Sequence, residues 1–155
     1  MNEEFKLEKP FIKDNEDLEM LQESLKEEGL DKEMIPFLEK FFSIPLTPVE
    51  SCYGHPKRDK EPYLSYVEDK VEVEKDKMFQ ESFRNRVEDL IMEINTELGS
   101  EFVDITLKKE DRGEGGPDNY TLRFEITDKE NFKERGEEVL KVIWEKFSKY
   151  IDETK

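Results

Sequence analysis

Cys52 and His55 stand three residues apart in Glu50-Ser51-Cys52-Tyr53-Gly54-His55-Pro56, and they are the only cysteine and the only histidine of the chain. A thiol and an imidazole at this spacing suit two chemistries. One is attack by a Cys52 thiolate with His55 as its base, and the other is half of a metal site. Lys57, Arg58 and Lys60 follow, interrupted only by Asp59, and nearby positive charge favours a thiolate. The same cations, with the hydroxyls of Tyr53, Tyr63 and Tyr66, form a candidate site for a small anionic ligand.

Each reading has a plainer competitor. A lone cysteine is most often a small buried apolar side chain, which would leave His55 as a turn residue before Pro56. A structural zinc wants four ligands, mostly Cys and His, and this chain supplies two, so no metal and no cofactor is expected. The cations of the loop can also pair with surrounding acids. Gly113-x-Gly115-Gly116 joins two expected strands rather than a strand and a helix, so it lacks the helix terminus that cradles phosphate.

Ser51-Cys52-x-Gly54 followed by a basic residue resembles a short Cys-containing motif of the wybutosine-synthesis methyltransferase family, which acts on tRNA. The likeness is confined to this stretch, and His55 stands where that family has Arg. Nothing else in the sequence matches a methyltransferase, so no activity is carried over.

Charge narrows the function classes. The 155 residues carry a formal net charge of -16, which repels a phosphate backbone, so no nucleic-acid role is expected. No apolar run approaches the roughly 18 residues of a membrane span, and Met1-Asn2-Glu3-Glu4 is acidic where a signal peptide is basic and then apolar. A cytoplasmic protein without membrane contact is expected. Charged residues make up 43% against 34% apolar ones, a Glu- and Lys-rich balance that recurs in thermophilic proteins.

The elements that must position the loop read as follows. One domain is expected over 1–155, with an arm and two short helices in 1–46 and an α+β body in 47–155. In the arm, Phe5, Leu7, Phe11 and Ile12 are candidates to dock on the body. Asn15 can cap a helix with Leu18, Leu21 and Leu25 on one stripe and Gly29 at its end. A second helix from Asp31 carries Met34, Ile35, Phe37, Leu38, Phe41 and Phe42 most of the way round, with Pro36 in or near its first turn. A helix apolar on so many sides must bury a second face, so Phe37, Leu38, Phe41 and Phe42 are the candidate surface for a protein partner or second copy.

Ile44, Pro45, Leu46 and Pro48 predict an extended connection. Residues 49–54 and 63–67 predict paired strands around the loop 56–62, with Val71 and Val73 continuing the second strand. Asp76 is the expected cap of a long helix through Phe79, Phe83, Val87, Leu90, Ile94 and Leu98 to Gly99. Val103, Ile105 and Leu107, then Tyr120, Leu122, Phe124 and Ile126, alternate as a hairpin across 110–119. A helix over 128–150 closes the chain. The pattern predicts a two-layer fold of four mainly antiparallel strands with two long helices on one face, strand-strand-helix twice over. The expected function is a binding or protein-interaction domain without catalytic machinery. The alternative is a small hydrolase or transferase acting on an anionic substrate with Cys52 and His55.

Overall fold

The computed structural model of the chain describes residues 9, 18–20, 22–23, 32–58, 60–99, 103–110 and 119–154. Its class is α+β, an antiparallel sheet packed against helices. The strands are β1 (Leu46–Cys52), β2 (Tyr63–Glu68), β3 (Val103–Glu110) and β4 (Asn119–Ile126), in the order β1-β2-β4-β3. A short helix α1 (Ile35–Leu38) lies between 3-10 turns at Lys32–Met34 and Glu39–Ser43. The long helices are α2 (Glu74–Leu98) and α3 (Lys129–Thr154). Among the described residues, no helix is long and apolar enough to cross a membrane.

The two long helices follow from spacing. Phe83, Val87, Leu90 and Ile94 fall three and four apart along α2 and are all buried. In α3 the buried stripe is broader, running through Phe132, Val139, Leu140, Ile143, Trp144, Phe147 and Ile151. Asp128 caps α3 through its Oδ1, which accepts from the Asn131 backbone N–H at 3.1 Å. At the other end of α2, Gly99 takes φ 85° and donates its N–H to Asn95 O at 2.8 Å, a terminus that needs glycine.

Both helices cover the same sheet face. Tyr66 meets Phe83 of α2 edge-on at 5.6 Å, and Phe124 meets Trp144 of α3 at 5.5 Å. The helices are also tied to each other where the Tyr150 hydroxyl donates to Phe83 O at 2.7 Å. Tyr150 titrates well above its ordinary range because burial disfavours the phenolate.

Several boundaries differ from expectation for identifiable reasons. β1 starts at Leu46 and takes in Pro48, which was expected in a connection. At an edge of the described sheet a proline need not donate to a ladder, and the pairing shifts register between Pro48 and Glu50. β2 stops at Glu68 rather than running on to Val73. There Asp69 N–H turns back to Pro45 O at 3.1 Å, and Gln80 Nε2 bonds both Pro45 O (2.8 Å) and Asp69 O (2.7 Å). α2 accordingly begins at Glu74, with Asp76 inside the first turn, where its charge complements the helix dipole.

The partner surface is the main correction. Phe37, Leu38 and Phe41 are 5%, 0% and 0% exposed, and Phe42 packs half-buried against the same core. Their second face is buried inside this chain, with Phe37 5.1 Å from both Trp144 and Phe147. Leu18 also packs on the core. The arm residues Phe5, Leu7, Phe11 and Ile12, the cap Asn15, Leu21, Leu25 and Gly29, and the Gly113, Gly115, Gly116 loop lie outside the described residues.

Phe147 is fully buried, with rings of Phe37, Phe83, Trp144 and Tyr150 around it. Phe147→Ala opens a cavity that rigid neighbours on three elements cannot collapse into. It should lower unfolding free energy by about 3–5 kcal/mol, read from the urea midpoint at unchanged slope.

Candidate functional site

The loop after β1 is fixed to α3 by close packing. Gly54 takes φ 108°, and a Cβ there would lie 2.5 Å from Leu140 Cδ2. Two residues on, Pro56 sits against Gly136, where a Cβ would come within 2.3 Å of Pro56 Cγ. Just before Gly54, Trp144 Nε1 donates to Tyr53 O at 2.9 Å, and the Tyr53 and Trp144 rings stack at 6.3 Å. The loop then closes on itself. His55 N–H donates to Lys60 O (2.9 Å), and His55 O accepts from Arg58 N–H (3.0 Å) and Lys60 N–H (3.1 Å) around the 3-10 turn Pro56–Arg58. Lys57, Arg58 and Lys60 thus stand exposed on a fixed turn. Asp59 is outside the described residues.

The strand register builds a second feature on the sheet face away from the long helices. Cys52 is opposite Tyr63, Tyr63 is opposite Arg123, and Arg123 is opposite Thr106, one row across all four strands. The neighbouring row on that face holds Glu50, Ser65 and Thr121. Together Glu50, Tyr63, Ser65, Thr121, Arg123 and Glu125 line a cavity of about 460 Å³. The Ser65 and Thr121 hydroxyls lie 2.5 Å apart, and both residues are buried. Glu61, also on the wall, accepts the Ile126 N–H at 2.5 Å. Chemically this is a hydrogen-bonding surface. It offers one guanidinium for an anion, carboxylates at Glu50 and Glu125 for donors, and hydroxyls between them.

The residues singled out in the sequence therefore divide. Cys52, half-buried and in no disulfide, belongs to the row with Tyr63. His55 sits in the fixed turn with Lys57, Arg58 and Lys60. Tyr53 leaves the strand toward α3, and burial together with Glu137, Glu33 and Glu145 pushes its hydroxyl up. Tyr66 is a correction. It is 1% exposed in the core beside Phe83 and Tyr120, so it holds no ligand at the loop. Burial raises its hydroxyl well above the usual range. Among the described residues no group of three or more His, Cys, Asp and Glu is placed to hold a metal.

Ser65, Thr121 and Arg123 were not singled out in the sequence, although they are polar alternates of the strands expected there. Strand neighbours far apart in the chain bring them together.

Gly136→Ala tests whether loop and helix are locked. Alanine gains about 0.5–1 kcal/mol over glycine within a helix. The collision with the Pro56 ring costs about 1–3 kcal/mol. The net effect should be destabilising, and Pro56→Ala in the same chain should recover part of it; a Gly136→Ala protein more stable than wild type would show that the contact is loose.

No family model matches this sequence, and neither a curated protein nor a solved structure matches it, so the functional reading rests on this geometry.

Proposed function

We propose that the protein is a non-enzymatic binding module for a small polar ligand, seated in the cavity on the face of the sheet opposite the long helices. The observation that carries this reading is the row Cys52, Tyr63 and Arg123 above the buried Ser65 and Thr121 hydroxyls. Such a face of an ordinary sheet would be flat and wet. Here it is concave and polar, with a single guanidinium at the wall.

The charge pattern narrows the ligand. Arg123 suits one carboxylate or phosphate oxygen pair, while Glu50 and Glu125 repel any further negative charge and accept donors. The matching molecule carries one anionic group and at least one hydroxyl or amino group. A polyanion is excluded by the same carboxylates and by the net charge of -16. A cytoplasmic small molecule of this type fits the reading.

Screening small carboxylates and phosphates by thermal shift should return ligands that raise Tm. Arg123→Ala should weaken the best of them by about 10–100-fold, the loss of a charge-assisted hydrogen bond. Full affinity in Arg123→Ala would remove this cavity as the site.

The position of Cys52 in the same row as Arg123 favours a second reading, in which Cys52 is a nucleophile, His55 its base, and the anionic molecule a substrate. Arg123 stands two strands from Cys52 in that row, with Tyr63 between them, and positive charge near a thiol favours the thiolate. Alkylation of Cys52 followed against pH separates the two. A reactive thiolate titrates clearly below the ordinary value of about 8.5, and an inflection at that value leaves binding alone.

A further inference from the structure

The start of β1 holds a charge that the open-face cavity does not use. The carbonyls of Phe41, Ile44 and Leu46 converge on Lys9 Nζ, which donates to all three, at 2.5 Å in the case of Ile44. Asp69 Oδ2 stands 3.3 Å from the same nitrogen. The Lys9 and Asp69 side chains are 0% and 1% exposed. Asp69 is oriented in turn, since Thr47 Oγ1 donates to its Oδ1 at 2.5 Å, and Gln80 braces the backbone at Pro45 and Asp69.

Two properties of this arrangement matter. Among the described residues its acceptors and the groups that brace them come from residues 41–80, while the ammonium arrives from position 9, so plug and acceptors belong to separate stretches of the chain. Three carbonyls and a carboxylate also match the three N–H donors and single charge of a primary ammonium. Left empty, three buried carbonyls would lose the ammonium they share and Asp69 would lose the cation at its Oδ2, which is costly. A quaternary ammonium has the charge and no donor, and therefore cannot satisfy them.

We propose that residues 41–80 form a binding site for a primary ammonium group, which the chain fills with its own Lys9 as an exchangeable plug. The site is independent of the ligand cavity, and either can fail without the other. Burial lowers the Lys9 ammonium to about 8 against the pull of Asp69, so it is protonated at pH 7.

Chemical rescue of the full chain at pH 7 tests the proposal. Lys9→Gly removes the plug and vacates the volume of its side chain. The urea midpoint of this variant should rise with the logarithm of n-butylammonium concentration, as linkage requires, and should not respond to tetramethylammonium at equal ionic strength. Lys9→Met fills that volume with an uncharged chain of similar length and should not respond to either ion. Lys9→Gly combined with Asp69→Asn should lose most of the response. Equal shifts with both ions, or no shift with n-butylammonium, would overturn the proposal.

If Lys9→Gly does not fold alone, refolding yield becomes the readout. Recovery in n-butylammonium but not in tetramethylammonium supports the site, and recovery in neither overturns it. In the wild-type protein, one lysine ¹⁵Nζ ammonium signal with slow proton exchange should appear and should vanish in Lys9→Met. Its absence counts against a sealed ammonium.

Discussion

The indole of Trp144 is the point on which the arrangement depends. Its ring is 5% exposed and lies 5.1 Å from Phe37, 5.5 Å from Phe124 and 6.2 Å from Phe147, joining the N-terminal helical turn, the sheet and α3. Its N–H has to find an acceptor, and the acceptor is Tyr53 O, just past the end of β1. One side chain thereby links core packing to the loop. Gly54 and Gly136 then allow the loop to come down on α3 at a distance no other residue would permit. The end of β1, with Cys52 opposite Tyr63, inherits its place from these contacts.

Charge is handled differently inside and outside. The buried Lys9 and Asp69 are both costly to ionise, and Asp69 is raised by burial even with Lys9 beside it. Such a pair adds little net stability and is very sensitive to losing one member, which is why it fixes where the N-terminal lysine must sit. The surface pairs, Arg84 with Glu68 at 2.6 Å, Lys40 with Asp152 at 2.8 Å and Lys146 with Glu97 at 2.8 Å, are each worth about 0–1 kcal/mol. Their value lies in number, because they relieve part of the repulsion of a chain at -16.

Helices and hairpin were legible because their signal is local. Phe83, Val87, Leu90 and Ile94 need only a spacing of three and four, and Tyr120 to Ile126 needs only alternation. Where β1 begins was hidden by Pro45 and Pro48, whose usual meaning changes at a sheet edge. The apolar helix at Phe37 to Phe42 was legible as a surface needing cover, but its cover, Trp144 and Phe147, lies more than a hundred positions away. The site was legible only in part. Tyr63 and Tyr66 were grouped although three positions on a strand put them on opposite faces. Arg123 reaches Tyr63 through the β2 and β4 pairing, which no short-range pattern encodes. Lys9 gave no signal among so many lysines.

Amide hydrogen exchange in Trp144→Phe tests this account most directly, since the substitution keeps an aromatic ring and removes the bond to Tyr53 O. Exchange should quicken at His55, Arg58 and Lys60, whose amides close the loop, while the β3 and β4 amides stay as protected as in wild type. Unchanged protection across the loop, or loss of protection everywhere at once, would contradict the claim that Trp144 holds the loop and the site beside it.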